Sequence, residues 1–259
     1  GDLASLGPGI ALGATLAVEQ INAAGGINGQ PVQLIEGDSG CDGAVALTSL
    51  NDVIAQGAQG VMGAACSGTS LAILDTAIGA GVVMVSPSNT SPQFTTRDKK
   101  RLYARTAPSD LFQGQVLATL LVDAGHRSIS IISRADSYGR GLAEATAAAF
   151  EGAGGTVNTI VYHAVDATEF SAEVTAVGKG SVDAIVSILF RETGCGVLGV
   201  AYEQGLLDTP WYFTDGMKDA QLDSNCGLNS ALDRLKGTAP GSATGEAMTR
   251  FSAAYSGVS

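Results

Sequence analysis

Positive charge is scarce in this 259-residue chain: 14 Lys and Arg stand against 25 Asp and Glu, a formal net charge of −11. That balance repels phosphate backbones and anionic lipid, which argues against a nucleic-acid-binding role. No run of about 18 apolar residues occurs, so no segment reads as a bilayer span. No charged-then-apolar leader precedes Gly1, and the chain reads as a mature soluble portion. It also reads as starting late and stopping early, because Gly1-Asp2-Leu3-Ala4-Ser5 is expected to be a loop with no strand before it. G-x-S-x-G, the P-loop and H-E-x-x-H are all absent, and His126 and His163 sit far apart beside no nucleophile or ligand cluster. Neither catalysis nor a metal or cofactor is expected.

What is present suits a globular protein. A 45% hydrophobic content over this length fills one large or two medium cores. The four cysteines fall into two separated pairs, Cys41 with Cys66 and Cys195 with Cys226, and no Cys-x-x-Cys spacing occurs. The pattern suits two disulfides and an oxidising compartment better than metal ligands. Their loops enclose about 24 and about 30 residues, each worth roughly 3 to 4 kcal/mol by chain-entropy reasoning. Four buried free thiols is the alternative left open by spacing alone.

Apolar periodicity alternates along the chain. Pro8 sits just inside a first helix bearing Ile10, Ala14, Ala17, Val18 and Ile21, which Gly25-Gly26 ends. Val32–Glu36 reads as a strand, Ala44–Gln56 as a helix, Val61–Ala65 as a strand and Val82–Val85 as another. After the charged loop Arg97–Arg101 and a short strand within Leu102–Pro108, the pattern repeats. Helices are expected at Ser109–Ala124, Tyr138–Glu151, Ser171–Gly178 and Cys195–Gln204, with strands at Ser128–Ser133, Thr156–Tyr162, Asp183–Phe190 and Trp211–Thr214. Lys236–Gly241 reads as a linker before a last helix, Thr244–Tyr255. This alternation implies α/β architecture with parallel sheets covered on both faces.

Val61–Pro92 organises the rest. A strand runs into Cys66-Ser67-Gly68-Thr69-Ser70 and an apolar helix, and a second strand runs into Ser86-Pro87-Ser88-Asn89-Thr90-Ser91-Pro92. Two parallel strands joined by a helix place both hydroxyl-rich loops at one carboxyl edge, where helix-start N–H groups attract anions. A small carboxylate is the ligand such loops suit. Taken alone, Ser67 and Thr90 also fit as helix caps or turn residues.

The segments Ala23-Ala24-Gly25-Gly26-Ile27-Asn28-Gly29, Cys41, Cys66-Ser67, Ser86-Pro87 with Thr90 and Pro92, Tyr138-Gly139-Arg140-Gly141 and Thr214-Asp215-Gly216 together resemble the type I periplasmic binding proteins. The resemblance is to the branched-chain amino acid (Leu/Ile/Val) binding subfamily of bacterial ABC importers. It implies two α/β lobes, each a doubly wound, mostly parallel sheet, with residues 1–107 and 241–259 in lobe 1, 108–240 in lobe 2 and ligand in the cleft between. It also implies a leading strand and C-terminal elements absent from this sequence, and a bridge between Cys41 and Cys66. Whether Cys195 and Cys226 are bridged is left open. By the same resemblance, Ser67 and Thr90 hold the ligand's carboxylate, with backbone around Ser88 and Asn89 assisting. Asp215, one carbon shorter than the family's usual Glu, accepts the ammonium, and Tyr138 packs on the ligand. Aromatic positions that flank an aliphatic side chain in the subfamily correspond here to Leu6 and Phe190, so the pocket is altered. Arg191 and Glu192 read equally as cleft-facing groups for a polar side chain and as solvated loop charges.

The implied function is a non-enzymatic, monomeric, periplasmic or extracellular solute receptor, lipid-anchored or free. It would close on a small amino acid or related carboxylate and deliver it to an ABC permease. Two other readings compete. A ligand-sensing domain of a membrane receptor shares this fold. A dinucleotide enzyme would use Gly194, Gly196 and Gly199 as G-x-G-x-x-G with Asp215 about 20 residues on; against it, Arg191-Glu192-Thr193 separates strand from glycine, and Cys195 would have to stay free.

Overall fold

The computed structural model describes residues 3, 6–97, 101–218, 222, 226–228 and 235–257, and helices and parallel strands alternate through most of them. They cluster as two units: residues 1–89, 98–107 and 241–259 form the first, and residues 90–97 and 108–240 the second.

In the first unit, helix α1 (Gly7–Ala23) carries Pro8 in its first turn, where the missing N–H has no helical partner to lose. It stops at Gly25 and Gly26, whose φ values of 103° and 76° favour glycine, and the Gly26 N–H returns to the Ile21 carbonyl at 2.9 Å. Helix α2 (Gly43–Ala55) is capped by Asp42, which accepts from the Ala44 and Val45 N–H groups at 2.8 and 2.9 Å. Such a cap is worth about 1 kcal/mol. Ala46 and Leu50 form its buried face, while Val45 and Leu47, apolar in the same pattern, are exposed. Strands β1 (Gly60–Met62), β2 (Val83–Ser86) and β3 (Tyr103–Arg105) pair in that order, all parallel. Helix α3 (Ser67–Gly79) links the first two and buries Ile73, Leu74 and Ala77. The last described helix, Glu246–Ser256, meets α1, with the Tyr255 hydroxyl donating to the Gly9 carbonyl at 3.3 Å.

Val32–Glu36 does not form the expected strand. Its alternating Val32 and Leu34 carry a β pattern, but a strand exists only with a hydrogen-bonded neighbour. Here the Asn22 side-chain amide takes both the N–H and the carbonyl of Val32, at 2.7 and 2.9 Å.

The second unit opens with the short helix α4 (Gln93–Thr96), which sequence periodicity did not suggest, followed in chain order by α5 (Asp110–Asp123), β4 (Ser128–Arg134), α6 (Ser137–Gly152), β5 (Thr156–His163), α7 (Ser171–Val177), β6 (Ala184–Ile188), α8 (Arg191–Glu203), β7 (Trp211–Phe213) and β8 (Lys236–Gly237). Residues 98–100 of the expected charged loop lie outside the described residues. The sheet order is β5-β4-β6-β7-β8, all parallel. One face packs Ile132, Ile185, Trp211 and Phe213 against Val174 and Val177 of α7 and Val197, Leu198 and Ala201 of α8. Period-two alternation turns Ile129 and Ile131 the other way, and helices α5 and α6 pack against each other. Two boundaries differ from expectation. Helix α8 starts at Arg191 instead of Cys195, so Arg191 and Glu192 are its first turn and not a loop. The expected linker at 236–241 begins with β8, because Gly237 lets the backbone approach the Phe213 carbonyl where a Cβ would collide.

Both cysteine pairs are bridged. Cys41–Cys66 joins the loop before α2 to the start of α3, with Cα atoms 5.5 Å apart, and Cys195–Cys226 anchors α8, at 4.8 Å.

Candidate functional site

At the carboxyl edge of the first unit's sheet, the loops after β1 and β2 are knitted together by side chains. The Ala64 carbonyl accepts from the Ser70 hydroxyl at 3.2 Å, the Ser86 hydroxyl at 2.9 Å and the Asn89 amide at 3.1 Å. Ala65 accepts from Ser88 and Asn89, both at 2.8 Å. Asn89 is held on its other side by the Tyr103 hydroxyl, 2.9 Å from its Oδ1, and the Ser86 hydroxyl receives the Ser88 and Asn89 N–H groups at 3.3 and 3.1 Å. Ser88 and Asn89 therefore engage β1's loop with their side chains and Ser86 with their N–H groups. Ser67 occupies the first position of α3 and is buried. The Gly68 and Thr69 N–H groups beside it have no earlier helical carbonyl to bond, the usual state of a helix's first turn. Leu6, just before α1, is 47% exposed.

The second unit gathers the remaining candidates. Arg134 ends β4, Phe190 follows β6, and Thr214 and Asp215 follow β7, so parallel strands bring all four to one sheet edge. Tyr138 arrives from the first turn of α6, which Asp136 caps by accepting from the Gly139 N–H at 2.8 Å. Gly139 is required here because a Cβ would strike the Arg134 carbonyl, and a Cβ on Gly141 would meet Pro92 Cδ at 2.7 Å. The Tyr138 hydroxyl lies 3.0 Å from Thr214 Oγ1 and donates to Asp215 Oδ1 at 3.1 Å. Its ring stacks on Phe190, centroids 5.2 Å apart and 11° from parallel. The Arg134 guanidinium sits 4.6 Å from the Phe190 centroid, with its Nε on Asp136 at 3.0 Å. Phe190 is thus engaged by both an aromatic and a cation. Thr90, which belongs to this unit, is buried, and its carbonyl accepts the Asp110 N–H at 2.9 Å.

Charge is concentrated around Tyr138. Burial pushes the Asp215 carboxyl above its ordinary range, against hydrogen bonds from Gln113, Tyr138 and the Asp215 and Gly216 N–H groups. Asp215 nevertheless keeps part of its surface open. The Tyr138 phenol is pushed well above its ordinary value by burial first, then by the charges of Asp215 and Asp110. Two carboxylates thus act on one phenol, an environment that gains from a cation. Sequence reasoning missed Asp110, Gln113 and Arg134. The signal for Asp110 was its place in the first turn of a helix, which a capping role explains equally well.

The glycine motif is not a phosphate loop. Gly194 and Gly196 lie inside α8, where a Cβ on Gly194 would strike Met217 Sδ and one on Gly196 would meet Phe170 at 2.7 Å. Cys195 between them is disulfide-bonded. These glycines serve close packing, which overturns the dinucleotide reading.

The family profile described as periplasmic binding protein matches residues 1–257. The chain belongs to the periplasmic binding protein family. This periplasmic binding protein is 30% identical over 242 residues to the leucine-, isoleucine-, valine-, threonine-, and alanine-binding protein of Pseudomonas aeruginosa, covering 90% of this chain and 64% of that one. It is 31% identical over 186 residues to the Leu/Ile/Val-binding protein of Escherichia coli K12, covering 71% of this chain and 50% of that one. The chain therefore spans about half to two thirds of the length of these relatives. Its fold matches that of the branched-chain amino acid transporter substrate binding protein LivJ from Streptococcus pneumoniae, solved with isoleucine, at a TM-score of 0.83 and 24% identity. That match covers 99% of this chain and 74% of the other. The type I periplasmic binding protein fold expected from the sequence is the fold observed.

Proposed function

We propose that this periplasmic binding protein is a non-enzymatic receptor for a small amino acid or related zwitterion. The observation that carries the reading is Asp215: a carboxylate raised by burial and aligned by the Tyr138 hydroxyl, yet still partly open. Such a group is suited to an ammonium. The first unit's carboxyl edge has the complementary chemistry, with the Ser67 hydroxyl and helix-start N–H groups suited to a carboxylate. The two ends of an amino acid call for these two chemistries. Relatives named for binding leucine, isoleucine and valine support the ligand class.

We assign Tyr138 to hold Asp215 and Thr90 to assist the carboxylate. Phe190 is stacked by Tyr138 and approached by Arg134 and is 9% exposed. The protein acts outside the cytoplasm, in keeping with its family and two disulfides, and hands its ligand as a monomer to an ABC permease. Among the described residues no helix is long and apolar enough to cross a membrane. A thermal-shift screen of the twenty amino acids, followed by calorimetry, tests the reading: one or a few should raise the melting temperature, by mass action. No shift with any of them would remove it.

A further inference from the structure

We propose that the second unit carries another small-molecule site at the opposite, amino-terminal edge of its sheet, one that takes a carboxylate with a short apolar body. A cavity of about 340 Å³ opens there, within the range of small-ligand pockets. It lies where the strands begin: Trp211 and Lys236 are the first residues of β7 and β8, and His126 precedes β4 by two. Since Arg134, Thr214 and Asp215 sit where β4 and β7 end, this cavity is distinct from the amino acid site.

Its walls are of two kinds. Leu207, Leu235 and Trp211 supply an apolar lining. His126 and Lys236 supply the polar part, with His126 Nε2 2.9 Å from the Tyr212 hydroxyl. Lys236 makes no ion pair among the described residues, unusual in a chain of net charge −11. Burial holds the His126 imidazole below its ordinary pKa; Asp183 pulls the other way and Lys236 adds to the depression, which marks the lysine as a close neighbour. The Asp183 carboxylate is turned toward the Arg127 and Ser128 N–H groups, which its Oδ2 accepts at 2.7 and 2.9 Å, and Lys236 does not figure among the charges acting on it. Asp208, exposed, also lines the cavity but does not figure among the charges acting on His126. What remains is a cationic head beside a neutral imidazole and a phenol, over an apolar floor. A carboxylate there gains a charge-assisted hydrogen bond from Lys236 while its hydrocarbon covers Trp211.

Trp211 is the only tryptophan in the sequence and forms part of the wall, so it reports directly. Hexanoate titrated into the whole 259-residue protein should give a saturable change in Trp211 fluorescence, and hexylamine, with the charge reversed, should not. Lys236→Met, at an exposed position and therefore expected to fold, should weaken hexanoate by about tenfold or more while leaving amino acid binding by calorimetry unchanged. A wild-type protein without a saturable response overturns the proposal, as does a Lys236→Met variant that keeps it. Loss of amino acid binding in that variant would also overturn it, because the two sites would then not be separate.

Discussion

Replacing Asp215 by Asn separates charge from shape. The amide keeps the size of the carboxylate and can still accept from the Tyr138 hydroxyl, now at 3.1 Å, but cannot pair with an ammonium. Two unit charges about 4 Å apart attract by about 4 kcal/mol at an effective dielectric near 20. Burying the carboxylate is already a feature of the unliganded protein, so only the incoming ammonium's desolvation opposes this. A net loss of about 2 to 3 kcal/mol is expected, or about 30- to 150-fold in Kd by calorimetry. The same substitution acts oppositely on stability. Because burial raises the folded-state pKa of Asp215 above 3.8, its favourable contribution is complete below 3.8 and disappears as pH rises through the raised value. Asn undergoes no such loss, so without ligand at pH 7 the variant should melt at or above the wild-type temperature. A variant that binds within about threefold of wild type, or that melts lower and binds equally, would refute the role of Asp215.

Wild-type affinity should fall as pH drops through the raised Asp215 value, since protonation removes the charge that attracts the ammonium; calorimetry between pH 7 and pH 4 shows the trend, and flat affinity argues against it. Tyr138→Phe, which deprives Thr214 and Asp215 of a shared partner, should weaken binding by about 1 to 2 kcal/mol in the same assay. Gly139→Ala reverses the usual benefit of alanine in a helix, about 1 kcal/mol, because its Cβ would strike the Arg134 backbone carbonyl; urea denaturation should show a lower midpoint. Reducing both disulfides should lower the melting temperature, with each bridge contributing roughly 3 kcal/mol.

Period and punctuation made most helices and strands legible. Pro8 and Gly25-Gly26 bounded α1 because their effects are local. Val32–Glu36 misled for the opposite reason: pairing depends on a distant neighbour, and Asn22 satisfies the backbone of Val32 alone. The glycines of α8 matched a phosphate-loop pattern, but their partners Met217 and Phe170 are remote in sequence. At the candidate site, resemblance pointed to Tyr138 and Asp215, and the structure brings those two together. Asp110 was invisible because a buried carboxylate at a helix start reads as a dipole partner until Tyr138 is seen beside it. The engagement of Ser88 and Asn89 with the Ala64 and Ala65 carbonyls was hidden likewise, since a hydroxyl-rich loop looks the same whether it serves a ligand or another loop.

The Arg134–Phe190–Tyr138 stack has a practical corollary for anyone reshaping ligand preference. Trimming Phe190 would remove the support on which the phenol rests, and the phenol steers the carboxylate. On the proposed site, a change at Phe190 would disturb the partner of Asp215 as well, so new preferences are better sought at residues outside the stack.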